Sequence, residues 1–189
     1  MKLTRLTATF GVLNNQTLTL GSGLHLIYAP NESGKTTWCA FLRSMLYGLP
    51  TRDRRPTADK NRYAPWSGAA MEGTIDLTAN GEALTIRRRT RSPSAPMAAF
   101  SAVYTGTAQS VPGLDSLNCG QVLTGVPREV YERSAFISQS GMVIGQSAEL
   151  ERRIAALLTS GQEDVSCTET AEQLKKYLSR RRYNKTGLL

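Results

Sequence analysis

The chain is poor in the residue types that most metal sites and charge-relay sites require. Its 189 residues include one histidine, His25, and three widely spaced cysteines, Cys39, Cys119 and Cys167. A single histidine excludes a His-based metal site and a catalytic triad, and the cysteines form neither a CxxC pair nor a disulfide framework. This cysteine usage predicts a reducing, cytoplasmic environment.

Long apolar runs and aromatic side chains are also scarce. No stretch of about 18 apolar residues occurs, so no membrane span is expected, and the first residues lack the apolar core of a signal peptide. Aromatic residues make up only 7% of the chain, which argues against a base-stacking platform for single-stranded nucleic acid. The length suits one hydrophobic core with a small appendage.

Positive charge, by contrast, is in excess. Lysine and arginine total 23 against 15 acidic residues, which gives a net charge of +8. This balance fits an anionic partner beyond a nucleotide, with DNA as the obvious candidate, and it fits a solvated basic surface equally well. Composition leaves both interpretations open.

The strongest motif lies at residues 29–37, which read Ala-Pro-Asn-Glu-Ser-Gly-Lys-Thr-Thr. It matches the phosphate-binding loop G-x-x-x-x-G-K-[ST], with Ala29 in the first glycine position. In such a loop, backbone N–H groups and a helix N-terminus face phosphate oxygens, Lys35 reaches the β- and γ-phosphates, and the Thr36 hydroxyl ligates Mg²⁺. The predicted nucleotide-binding residues are Asn31, Glu32, Ser33, Gly34, Lys35, Thr36 and Thr37.

The flanks of the loop predict the order of strand, loop and helix that the motif requires. Residues 23–29 are expected to form a buried strand that runs into the loop. After Lys35, apolar residues recur at helical spacing until Gly48 and Pro50, which are expected to end the helix. A Gly-Lys-Thr tripeptide in an ordinary turn is the alternative, and the flanks disfavour it.

Hairpins and short helices are predicted for most of the remaining chain. Residues 1–20 indicate a β-hairpin with its turn at Asn14-Asn15, and residues 69–91 indicate a second, antiparallel hairpin around Asn80-Gly81. Residues 51–68 are expected to form a polar, basic loop. Further predicted elements are a short strand over 100–104, short helices over 112–133, a buried strand over 135–139, an amphipathic helix over 148–158 and a polar helix over 168–182.

The phosphate-binding loop, the leading hairpin and Phe136-Ile137-Ser138-Gln139 together resemble one family. They look like the N-terminal lobe of an SMC/SbcC-type ABC ATPase head, closest to the YhaN-like subgroup. Phe10-Gly11 is similar to an early turn of that family that approaches the nucleotide, and Arg62-Tyr63-Ala64-Pro65-Trp66 also matches the subgroup. Gln139 lies where the family places its Q-loop glutamine. The resemblance implies ATP and Mg²⁺ as cofactors, Lys35 and Gln139 as catalytic residues, and Thr36 and Gln139 as metal ligands.

The fold class implied by this resemblance is α/β. It is a P-loop NTPase half-head with an N-terminal β-hairpin, an inserted antiparallel hairpin and C-terminal helices. The ATPase N-lobe is expected over residues 1–165 and contains the hairpin of residues 69–91. Residues 166–189 are expected to form a polar helix that starts a coiled coil.

Two motifs that the family requires are absent from this sequence. No run of four apolar residues is followed by two acids, and no Leu-Ser-Gly-Gly-type signature occurs. We therefore expect a half-head whose C-terminal lobe, with the signature and the Walker B acids, is supplied separately. The resemblance further implies an ATP-dependent head dimer, ATP hydrolysis in the intact protein with almost none by this chain alone, and a role in DNA repair or chromosome maintenance. Duplex DNA and a nuclease subunit are the candidate partners.

A complete small P-loop kinase is the first alternative. In that interpretation Arg52, Arg54 and Arg55 would form a basic lid over the transferred phosphate. The two strands predicted before the loop strand disfavour it, as does the lack of a second carboxylate motif for an acceptor. Product formation with nucleosides or small alcohols would favour the kinase.

A basic nucleic-acid-binding module is the second alternative. Phosphate contacts would come from the second hairpin and from the polar helix over 168–182, and about six of them would give a salt slope of roughly −5. A solvated face is the competing interpretation of each cluster. The predicted contacts in the hairpin are Arg87, Arg88, Arg89 and Arg91.

Overall fold

The computed structural model describes residues 1–53 and 55–135, together with residues 151, 154 and 155. The chain divides into two compact units, Met1–Arg128 and Glu129–Leu189. Residues 151, 154 and 155 are helical, within the helix predicted over 148–158. Residues 136–139 of the predicted strand, the polar helix over 168–182 and the boundary between residues 165 and 166 lie outside the described residues and stay predictions.

The first unit is built on a five-stranded sheet. The strand order is β2-β1-β3-β4-β5, and every neighbouring pair is antiparallel. Both predicted hairpins and the predicted short strand near residue 100 are therefore present. The strands are β1 (Lys2–Phe10), β2 (Leu13–Thr19), β3 (Glu72–Ala79), β4 (Glu82–Arg89) and β5 (Ala99–Tyr104).

Four helices have both ends within residues 1–135, and together with the sheet they make the described part of the chain a mixed α/β structure. The first is the helix predicted after the phosphate-binding loop, and it ends at Gly48, whose φ is 74°. Before the third, Asp115 Oδ1 accepts hydrogen bonds from the N–H groups of Leu117 and Asn118, so this carboxylate orders the turn that leads into the helix. The helices are α1 (Lys35–Tyr47), α2 (Asp59–Arg62), α3 (Cys119–Thr124) and α4 (Arg128–Ser134).

Helix α1 packs on one face of the sheet. In β3 the inward positions are Gly73, Ile75 and Leu77, which alternate with partly or fully exposed residues. Gly73 lies directly under α1, because a Cβ atom at this position would overlap the ring of Phe41. The ring of Phe41 is fully buried and meets Phe10 of β1 edge-on, with ring centroids 5.8 Å apart. The core therefore lies between α1 and the sheet.

Polar side chains occupy the opposite face of the sheet. The strand register aligns Thr7, Thr74, Arg87 and Ser101 in one row across β1, β3, β4 and β5. Arg87 and Ser101 are exposed. No helix in the described part of the chain is long and apolar enough to cross a membrane.

The predicted turn of the first hairpin is wrong by a few residues. The chain reverses at Gly11 and Val12, and Asn15 lies within β2. Gly11 has a φ of 56°, which glycine adopts without the strain that a Cβ would add. A register shift between Ala8 and Phe10 lets β1 and β2 pair around this tighter turn.

The predicted strand over residues 23–29 is also wrong. None of these residues forms a strand, and Leu24, Leu26 and Tyr28 are 99%, 89% and 94% exposed. A strand is stable only beside a partner that takes up its backbone hydrogen bonds, and none of the five described strands pairs with this segment. The apolar pattern thus identified a segment suited to burial, but the first unit supplies no neighbour for it.

Candidate nucleotide-binding site

The loop at residues 31–34 has the backbone geometry of an anion-binding turn. The φ angles of Glu32 and Gly34 are 65° and 92°, whereas that of Ser33 between them is not positive. Such alternation turns successive N–H groups towards one side of the chain, where they form a concavity for an anion. Ala29 has no positive φ, which is compatible with its methyl group.

Lys35, the first residue of α1, folds back across this loop. Its Nζ donates hydrogen bonds to the carbonyl oxygens of Ala29 and Pro30, both at 2.6 Å. An ammonium group has three N–H donors, so one donor stays available for an anion. These two hydrogen bonds close the loop, because they tie the residues before it to the helix after it.

Gly34 connects the loop to the sheet. It is buried, and a Cβ atom there would lie 2.9 Å from side-chain carbons of both Val12 and Leu13. A side chain at this position would therefore meet both a steric clash and an unfavourable positive φ. Contact with the first hairpin thus determines how closely the loop and the N-terminus of α1 pack against the sheet.

Most of the predicted nucleotide-binding side chains can be reached from solvent. Lys35 and Thr37 are half-buried, while Asn31, Glu32, Ser33 and Thr36 are exposed. The exposed Thr36 hydroxyl, one residue into the helix, is a hard oxygen ligand of the kind that Mg²⁺ takes. The second predicted metal ligand, Gln139, lies outside the described residues. Loop, lysine and hydroxyl together fit a magnesium-bound phosphate chain.

The Gly11 turn forms a wall beside the first turn of α1. A Cβ atom on Gly11 would lie 3.0 Å from Cγ2 of Thr37, so this turn lies against the end of the loop motif. The N–H of Gly11 donates to the carbonyl oxygen of Tyr63 at 2.8 Å, and the N–H of Trp66 donates to the carbonyl oxygen of Gly11 at 3.0 Å. The sequence places residues 63–66 far from the loop, and no local pattern predicted this connection.

Aromatic packing holds residues 63–66 in place. The Tyr63 ring is buried and stacks on Phe10, with ring centroids 5.1 Å apart and planes inclined by 18°. The guanidinium of Arg62 lies 5.5 Å from the centroid of the same ring, within the range of a cation–π contact. The segment beside the loop is therefore anchored in the core.

Arg88 does not belong to the predicted nucleic-acid contacts. Its side chain is 2% exposed, because alternation along β4 turns it into the core while Arg87 and Arg89 point outwards. The prediction for Arg88 is wrong for this reason. Arg87, Arg89 and Arg91 are exposed. Arg87 and Arg89 line an open depression of about 160 Å³ on the polar face of the sheet, together with Ala99, Phe100 and Ser101.

The arginines proposed for a kinase lid are only partly available. Arg55 forms an ion pair with Asp53 at 2.7 Å, and its hydrogen bonds lower the pKa of that carboxyl to about 2. Arg52 is exposed, and Arg54 lies outside the described residues. This ion pair is exposed and contributes little energy, so a phosphate could replace it and the pairing alone does not exclude the kinase interpretation.

Comparison with known proteins identifies the family. The family model described as an AAA domain matches residues 1–185, which is nearly the whole chain. A comparison with curated proteins finds no match. Members of the matched family are nucleotide-binding ATPases, in agreement with the loop, lysine and helix N-terminus described above. This chain belongs to the AAA domain family.

Proposed function

We propose that this chain is the ATP-binding N-lobe of an SMC/SbcC-like, YhaN-like ATPase that acts in DNA repair or chromosome maintenance. The observation that carries the proposal is the loop at residues 31–34, closed by Lys35 through Ala29 and Pro30. Its alternating φ signs and the helix behind it favour a polyanion at this point of the surface. The family match over residues 1–185 supports a nucleotide as that polyanion.

Each residue of the loop has a role in this proposal. The N–H groups of residues 32–35 bind the phosphate oxygens. The third N–H of the Lys35 ammonium donates to the β- and γ-phosphates, and its positive charge offsets theirs. The Thr36 hydroxyl and Gln139 would hold Mg²⁺, whose charge would offset that of the phosphate oxygens. This chain therefore binds and orients the nucleotide.

Hydrolysis requires a second lobe in our proposal. The sequence holds no Walker B acid pair to act as general base and no signature motif. Leu24, Leu26 and Tyr28 expose apolar surface directly before the loop, where a strand from another lobe could pair with the segment. Such a lobe would bury this surface, complete the sheet beside the loop and allow an ATP-dependent head dimer.

Calorimetry with Mg-ATP and the full 189-residue chain tests nucleotide binding. We expect saturable binding by the wild type and a loss of about tenfold or more in Lys35→Ala, because charge-assisted hydrogen bonds to phosphate are lost. Lys2→Ala removes an exposed lysine from β1 and serves as the matched control with unchanged affinity. No heat from the wild type, or equal affinity in Lys35→Ala, would refute the proposal.

Turnover measurements test the requirement for a second lobe. We expect the pure chain to release almost no phosphate from ATP, since its sequence lacks the Walker B acid pair that would supply the general base. Sustained multiple turnover by the pure chain would show that the site is complete without a partner. Stoichiometric transfer of phosphate to a nucleoside or small alcohol would instead favour the kinase.

A further inference from the structure

Trp66 is an exposed aromatic side chain on an otherwise fixed segment. Its residue is 75% exposed, although aromatic side chains of this size bury much of their surface in most folded proteins. The backbone around it is held at three points, namely Tyr63 in the core, the hydrogen bond from the Trp66 N–H to Gly11, and a turn in which the Gly68 N–H donates to the Pro65 carbonyl oxygen at 3.0 Å. The exposure of the indole is thus not a result of a loose chain.

The backbone of Trp66 lies one hydrogen-bonded residue away from the first turn of α1. Trp66 is bonded to Gly11, and Gly11 lies against Thr37, the last residue of the loop motif. Lys35 and Thr36 serve the β- and γ-phosphates, so the α-phosphate and the nucleoside attached to it extend past this end of the motif. The segment that carries the exposed indole therefore lies beside the end of the motif at which our proposal places the nucleoside.

We propose that Trp66 stacks on the base of the bound nucleotide and so determines the preference for a nucleoside triphosphate over other polyphosphates. The inference rests on the proposed nucleotide-binding function. Stacking on an indole requires only a π-face and suits a purine best because of its area. A fixed backbone reduces the entropy that the side chain loses when it stacks.

Calorimetry with two magnesium-bound ligands, ATP and inorganic tripolyphosphate, separates base binding from phosphate binding. For Trp66→Ala we expect ATP affinity to fall about tenfold while tripolyphosphate affinity stays unchanged, because only ATP carries a base. Trp66→Phe should retain most of the ATP affinity, since it keeps an aromatic face. Leu117→Ala is the control. It removes an exposed apolar side chain that lies just before α3, and it should change neither the ATP affinity nor the tripolyphosphate affinity.

The outcomes distinguish this inference from the function on which it rests. Unchanged ATP affinity in Trp66→Ala would overturn the stacking role and leave Trp66 as a surface for another lobe. Equal losses for ATP and tripolyphosphate would also overturn it, because the substitution would then act through the loop. If wild-type protein binds neither ligand, the proposed nucleotide-binding function itself fails.

Discussion

Arg88 shows how one position in a strand changes the role of a charged residue. Its guanidinium donates to the main-chain carbonyl oxygens of Met45 and Ser116, both at 2.8 Å, and lies 4.8 Å from the centroid of the Phe100 ring. Met45 is in the last turn of α1, where carbonyl groups lack intrahelical partners and the helix dipole favours a cation. Burial lowers the pKa of Arg88, and the nearby Cys119 acts in the opposite direction. Arg88 is thus a C-terminal cap for α1 supplied by the sheet.

Replacing this cap should destabilise the fold. In Arg88→Met we expect the free energy of unfolding to fall by about 3 kcal/mol, because buried carbonyl oxygens lose their donors. Urea denaturation followed by circular dichroism measures the change. Arg87→Met alters the adjacent, exposed residue of the same strand and should cost less than about 0.5 kcal/mol. Equal stability of the two variants would mean that the carbonyl groups find other donors.

Helix α1 is positioned by contacts along its whole length. At its N-terminus Gly34 lies against the first hairpin, in its middle Phe41 lies on Gly73, and near its C-terminus the Tyr47 hydroxyl donates to the carbonyl oxygen of Val126 at 2.9 Å. The position of the loop at residues 31–34 is therefore determined by packing contacts outside the motif. Substitutions under the helix should affect nucleotide binding without touching the loop.

Substitution of Gly73 tests whether the packing of α1 on the sheet determines stability and ATP binding. In Gly73→Ala the new methyl group overlaps the ring of Phe41, so we expect a loss of about 2 kcal/mol in stability and weaker ATP binding as α1 shifts. Denaturation and calorimetry measure the two effects. At Gly21 a Cβ atom would meet only His25, 3.7 Å away, so Gly21→Ala is the control. Unchanged stability in Gly73→Ala would show that the core absorbs the methyl group.

The whole molecule carries a net charge of +8, and two of its exposed arginines, Arg87 and Arg89, share the polar face of the sheet. Arg89 lies 3.7 Å from Glu72, a long and exposed ion pair that a phosphate could replace. This arrangement keeps duplex DNA as a proposed partner. A nuclease subunit stays a prediction from the resemblance alone.

Binding to duplex DNA at several salt concentrations tests this proposal. If Arg87 and Arg89 contact phosphates, the double variant Arg87→Ala/Arg89→Ala should weaken binding and reduce the slope of log K against log salt by about 2. The variant Arg52→Ala/Arg62→Ala removes two exposed arginines that lie outside the strands and should keep the slope. Binding without salt dependence, or an equal change in both variants, would exclude a specific role for the two arginines.

Local patterns in the sequence were sufficient to predict the tight loop before α1, α1 itself and the hairpin around Asn80-Gly81. Loop spacing, helical periodicity and turn residues act over a few positions, so they are readable without the fold. The alternation that exposes Arg87 also buries Arg88, and Leu84 and Ile86 of the same strand show which phase faces the core, so the sequence held a signal that the prediction for Arg88 missed. At the first turn the chain reverses at Gly11 and Val12 and not at Asn14-Asn15, because the shift in pairing between the two strands is not visible in the sequence.

Only the tertiary structure decided what surrounds the loop. The wall formed by Gly11 and Trp66 joins residues that are 55 positions apart, through backbone hydrogen bonds that no local pattern encodes. The tertiary structure also decided that residues 23–29 form no strand, because a strand depends on a neighbouring strand as much as on its own apolar residues. The sequence by itself determined that the loop motif and the helix after it exist, because that pattern lies in contiguous residues. The fold determined where the loop sits and what lies beside it, because those contacts depend on chain segments brought together by the sheet.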